Sequence, residues 1–244
     1  MTAVYVQMEK QSGRLILLGA GALSIVMWIM PELRPLLWPI TIFNTYIHEL
    51  SHAVATVLTL GSVDRVLVQS DGSGLTYSLG GWLPVIASAG YIGSSLVGAA
   101  TLYFSRTKES ARVILVAFAV VLVVALALVV RGSVIGYVMG VAWALGLGSA
   151  ARWLKGDWLI FTARLLGFQL CLTSIQALSD LVVLSRLGTA ATDAHNLRAA
   201  TGISEEFWAY VWAVTACCGM FIGLVHAWKR EDRPIATSRP SPLH

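Results

Sequence analysis

The chain has 244 residues, of which 57% are hydrophobic and only 12% charged, and its formal net charge is +4. Soluble domains carry about 25% charged residues, so this composition excludes an ordinary soluble domain and places the chain in the membrane class. Lys and Arg sit in short connecting segments, where they orient helices and meet anionic lipid; no basic stripe alternates with aromatics, which excludes nucleic acid as a partner.

Met1–Gly13 is short and polar. Leu15–Met30 is an apolar run behind Lys10 and Arg14. It has the look of a signal-peptide core, but no small-residue cleavage site follows, so it reads as the first membrane helix. Leu36–Leu60 is the second, with Pro39 tolerable in its first turns. Val66–Ser70 and Leu75–Ser78 flank Asp71-Gly72-Ser73-Gly74, the signature of a β-hairpin. Such a hairpin serves either as a plain connection or as an edge that holds an extended peptide by strand addition. Trp82–Phe104 is a third apolar segment, rich in Gly, Ala and Ser, which let membrane helices approach closely. Arg106, Lys108 and Arg112 form a basic loop before the very apolar fourth helix, Val113–Val130. Val134–Ala151 and Leu159–Leu184 are the fifth and sixth helices. Arg186–Glu206 is the longest polar connection, and Phe207–Trp228 is the seventh helix. The tail 229–244, rich in Arg, Pro and Ser, is expected to be disordered. The fold class expected is an all-α polytopic membrane protein, one integral domain over 1–244, with six to seven transmembrane helices and a short hairpin after the second. Cys171, Cys217 and Cys218 lie in apolar stretches without C-x-x-C spacing and read as small helix residues.

Within the second helix, His48-Glu49-Leu50-Ser51-His52 is an H-E-x-x-H sequence. Histidines at i and i+4 share one helix face, so both imidazoles can reach one zinc ion, and Glu49 lies near enough to act as general base. The apolar flanks matter, because ionisable residues in a membrane helix need a reason to be there. A catalytic zinc takes three protein ligands and keeps one position open. Asp180, in an apolar helix, is the favoured third ligand: a carboxylate there costs about 2.5–3.5 kcal/mol on insertion scales, which coordination offsets. Under alternating topology the second and sixth helices end on the same side, and His52 and Asp180 differ in depth by only about 5 Å. Asp193, in the following polar loop, is the competing candidate as ligand or supporting group; His195 beside it reads as a surface histidine. Asn44, one turn before His48, either bonds a ligand at the metal or makes a helix–helix contact.

His48-Glu49-Leu50-Ser51-His52-Ala53, a Gly-containing hairpin and then Ala89-Gly90-Tyr91-Ile92-Gly93 together resemble the site-2 protease superfamily of intramembrane zinc metalloproteases, and within it the compact bacterial and plant branch. Ser179-Asp180 and Thr192-Asp193-Ala194 resemble that branch's downstream acidic motifs. The resemblance spans roughly residues 40–215. It departs from the wider superfamily in lacking an Asn-Pro…Leu-Asp-Gly segment, since Asp180 is followed by Leu181, and in lacking a PDZ-like domain. It implies one zinc per chain, a lipid bilayer as surroundings, a bacterial cell membrane as location and membrane proteins as substrates, cut within or near their spanning segments. The alternative is a catalytically inactive zinc-binding membrane protein that acts through partners. A transporter ranks last, because the fourth and fifth helices offer almost no polar path. More Lys and Arg fall on the side of the Arg106 loop than on the hairpin side, which would put the hairpin outside the cytoplasm; the resemblance implies a site open to the cytoplasm, and the two expectations stand opposed.

Overall fold

The computed structural model describes residues 2–187 and 192–231. Among them the helices are α1 (Thr2–Ile29), α2 (Arg34–Leu58), α3 (Leu83–Phe104), α4 (Lys108–Leu128), α5 (Val134–Trp153), α6 (Asp157–Leu187), α7 (Asp193–Thr201) and α8 (Glu205–Glu231). One antiparallel hairpin, β1 (Ser62–Val68) and β2 (Gly74–Leu79), separates α2 from α3. This is an all-α polytopic membrane architecture with a hairpin after the second helix. Among the described residues five helices are long and apolar enough to cross a membrane: Ser12–Ile29 of α1, α3, α4, α5 and Glu205–Lys229 of α8. The sequence reading also counts α2 and α6 as spans, and neither is among these five. At 25 residues α2 is about 37 Å long, so length is not what it lacks. Asn44, Thr45, His48, Glu49, Ser51 and His52 dilute its hydropathy.

Two helix starts differ from the sequence reading for a local reason. α4 begins at Lys108, inside the expected basic loop, because Thr107 and Ser110 form a reciprocal capping box. The polar connection 186–206 contains the unexpected helix α7. Thr192 caps it by accepting from the His195 backbone N–H at 3.1 Å, Asp193 favours its first turn, and Gly202 closes it at φ 73°. At the other end of the chain, α8 runs to Glu231, three residues into the expected tail; residues 232–244 lie outside the described residues.

α3 is the hub, packing on α2, α6, α7 and α8. It runs antiparallel to α2, with Gly90 against the two motif histidines; a Cβ there would collide with Nε2 of both. Further along, a Cβ on Gly98 would sit 2.7 Å from Cys171 Sγ and 2.8 Å from the Gly167 carbonyl of α6. The small-residue character of the third segment is thus spent on close helix approach. The main core joins α2, α4, α5 and α6 through Phe43, Leu115, Leu122, Leu147, Leu159 and Leu170. A second cluster, Ala87 and Tyr91 of α3, Ala194 and Leu197 of α7, Ala209 and Trp212 of α8, fixes α7 in place. Full burial of Leu197 contributes about 2 kcal/mol to that docking.

The hairpin folds back along α2. Trp38 Nε1 donates to the Ser70 carbonyl at 2.7 Å, and Thr45 Oγ1 to the Gly72 carbonyl at 2.6 Å. Both strands reach further from the turn than expected, through the added pairs Ser62–Leu79, Val63–Ser78 and Arg65–Tyr77, while Val66 and Val68 are fully buried against the core. In the turn, Asp71 Oδ1 accepts from both the backbone and the hydroxyl of Ser73, which holds its carboxyl below the usual range. One side of β1 is occupied: the Val66 N–H donates to the Val129 carbonyl at 2.8 Å, and the Arg131 N–H to the Val66 carbonyl at 3.1 Å. Among the described residues no strand pairs with the outer edge of β2.

Candidate metal centre

One helix face brings His48 and His52 together, their Nε2 atoms 3.1 Å apart. α7 carries Asp193 back over them, and its Oδ2 lies 3.3 Å from each of those nitrogens. Donors about 2.0–2.1 Å from a tetrahedral zinc lie about 3.3–3.4 Å from one another, so this triangle has the edge lengths a zinc ion requires. The tautomer fits too. His52 Nδ1 faces the Ile86 carbonyl at 2.6 Å; a carbonyl only accepts, so Nδ1 carries the proton and Nε2 keeps its lone pair for a metal. The His48 ring stands edge-on to Tyr91 at 4.6 Å, and Tyr91 stacks on Trp212 of α8 at 4.8 Å. Gly90 supplies the room between α2 and α3 in which the two nitrogens converge.

Glu49 is 5% exposed, and its carboxylate lies with the two imidazole nitrogens inside a 4.8 Å group. The Thr76 hydroxyl of β2 is 2.7 Å from Glu49 Oε2 and 2.9 Å from the Glu49 carbonyl. A Cβ on Gly74 would come 2.7 Å from Oε1, so this glycine gives the second oxygen its space. Burial pushes the Asp193 carboxyl up, but the two imidazoles outweigh that and hold it below the usual carboxylate range.

Asn44 is buried, with Nδ2 turned to α6: 2.5 Å from Thr173 Oγ1 and 3.4 Å from the Gln169 carbonyl. Asp180 falls within α6, and its side chain lies outside the described residues. His195 Nδ1 is 3.0 Å from Glu205 Oε1, with Arg198 3.6 Å from the same oxygen; it braces α7 against α8. A cavity of about 580 Å³ opens over these groups, walled by α2, β2, α3, α6 and α7.

Sequence reasoning gave no role to Thr76, Tyr91 or Trp212, whose contacts with the centre depend on tertiary packing; only Tyr91 carried a signal, inside the Ala89–Gly93 stretch of the resemblance. The cap of α7 was readable: Thr192-Asp193 at one end and Arg198…Gly202 at the other is a helix start and stop. No curated protein and no solved structure matches the chain. A family model described as Peptidase M50B-like matches residues 14–223, a stretch that runs from α1 into α8 and takes in both histidines, Glu49 and α7. The chain therefore belongs to the Peptidase M50B-like family, within the site-2 protease group of membrane metallopeptidases.

Proposed function

We propose that this chain is an intramembrane zinc metalloprotease that hydrolyses peptide bonds in or near the spanning segments of other membrane proteins. The observation that carries the reading is the triangle of His48 Nε2, His52 Nε2 and Asp193 Oδ2 with Glu49 beside it. His48, His52 and Asp193 hold the zinc, with Asp193 taking the third place rather than Asp180. When bound, the zinc supplies Lewis acidity towards a scissile carbonyl and an attacking water. Glu49 accepts the proton of that water and returns it to the leaving amine. Thr76 holds Oε2 in place and leaves Oε1 for the proton, in the space that Gly74 provides.

A substrate helix hides its carbonyls in its own hydrogen bonds, so the segment to be cut must first unwind. The outer edge of β2 offers such a segment backbone partners. Gly74, Leu75, Thr76 and Ser78 line the cavity, while Tyr77 and Leu79 do not and are exposed. Helix-weakening residues in the substrate favour cleavage on this scheme.

The test is metal analysis of the detergent-purified protein, beside cleavage of a membrane-spanning reporter in vesicles. About one zinc per chain is expected, lost in His48→Ala and Asp193→Ala and kept in Asp180→Ala. A zinc-free wild type sinks the proposal. Retention in Asp193→Ala with loss in Asp180→Ala returns the third place to Asp180. A zinc-loaded wild type that cuts no reporter leaves the inactive zinc-binding alternative standing.

A further inference from the structure

Asn44 is 3% exposed and lines the same cavity as His48, Glu49 and Asp193. The orientation of its amide is fixed by chemistry. The Gln169 carbonyl only accepts, so the group facing it is Nδ2, and Thr173 Oγ1 takes the second bond from that nitrogen. Oδ1 is then the half of the amide not committed to α6. It is buried and has no hydrogen-bond partner among the described residues. A buried acceptor left unpaired costs about 1–3 kcal/mol, a cost that a donor entering the cavity would relieve.

The ligand that fits is one that donates an N–H to this oxygen. Asn44 shares the cavity wall with His48, Glu49 and Asp193, and a peptide chain that reaches the centre would pass its backbone N–H groups by a residue one helical turn before His48. We propose that Asn44 Oδ1 accepts a hydrogen bond from a backbone N–H of the unwound substrate segment. That makes it a substrate-binding residue that reads backbone rather than side chain. An intact substrate helix spends its N–H groups internally, so this acceptor rewards only a chain that has unwound, and it adds to whatever β2 contributes. The inference rests on the proposed proteolytic site and deepens it.

The experiment uses the full-length zinc-loaded protein in detergent and three probes: acetohydroxamate, a tetrapeptide hydroxamate, and the same peptide methylated at each backbone nitrogen in turn. Asn44→Ala is expected to weaken the peptide hydroxamate about tenfold, the size of one hydrogen bond, and to leave acetohydroxamate unchanged. One N-methyl peptide should bind wild type about tenfold more weakly than its parent, yet bind Asn44→Ala no worse than its parent. Equal weakening of acetohydroxamate and peptide by Asn44→Ala overturns the inference, since the residue then acts on the metal or on folding. So does a set of methylation penalties that is the same in both proteins. If Asn44→Ala does not fold, the wild-type methyl scan decides: no penalty at any nitrogen overturns the inference. Acetohydroxamate that fails to bind wild type strikes the metal-site reading itself, a different failure.

Discussion

α2 and α4 share one core and both turn apolar residues outward, but they differ in what they bury. α2 buries its polar groups: Asn44, Glu49, His52 and Thr56 are all at or below 5% exposure. α4 has almost no polar groups to bury, and Val113, Val116, Val120, Val121, Val123 and Val124 all point away from the protein. In lipid the outward face must be apolar, so hydropathy finds helices such as α4 most easily. A helix that performs chemistry turns its ionisable groups to the interior and loses hydropathy for that reason. The helix that carries the two histidines of the candidate metal centre is therefore one that a hydropathy window passes over.

The comparison breaks most severely at Glu49. Glu49→Gln should lower reporter cleavage by roughly 10²–10⁴-fold while zinc content stays at the wild-type level; unchanged cleavage would show that the buried carboxylate of α2 is not the base. Next comes Gly90→Ala on the facing helix. Its Cβ collides with both imidazole nitrogens, and overpacking of this kind costs about 1–3 kcal/mol. Zinc affinity, measured by competition with a chelator, should fall about ten- to a hundredfold, and an unaltered affinity means that α3 does not bound the centre. A smaller effect is expected from Glu205→Ala, which removes the shared partner of His195 and Arg198 behind α7. Zinc affinity should drop a few-fold, about the size of one partly screened ion pair, with no change in Glu205→Gln if the hydrogen bond to His195 is what counts. At the bottom of the scale, Val123→Ala on the outer face of α4 should leave thermal stability and cleavage unchanged. The adjacent Leu122→Ala, fully buried, should cost about 2–5 kcal/mol. Equal effects at these neighbours would mean that α4 does not face lipid.

Much of the architecture could be read locally. Apolar runs punctuated by Pro31, Gly61, Arg131 and Gly132 mark the spans, and Asp71-Gly72 marks the hairpin turn. The motif itself was legible because a helix repeats every 3.6 residues, so His48 and His52 converge whatever surrounds them. The proposed third donor was harder. Asp180 drew attention by the cost of a carboxylate in an apolar helix, whereas Asp193 sits in a stretch polar enough to need no excuse. Only the docking of α7 through Ala194 and Leu197 brings Asp193 to 3.3 Å from both histidines, and nothing within α7 announces its destination. The two roles of Asn44 were both visible as options. The structure gives the helix–helix contact, with Nδ2 bonded to α6, and the proposal above assigns the other end of the amide to a ligand.

The separation of 145 residues between His48 and Asp193 has a consequence for biogenesis. On the proposed ligand set, the ribosome delivers two donors early and the third only after α3 to α6 have been made. Until Thr192 caps α7 and α8 is there to receive it, the nascent chain holds half a catalyst. A hydrolase that finishes its own metal cage last is harmless to neighbouring chains while it is being inserted. A ribosome-arrested chain ending at residue 191 should accordingly integrate into vesicles and retain no zinc; if it retains a full complement, this order of assembly offers no protection.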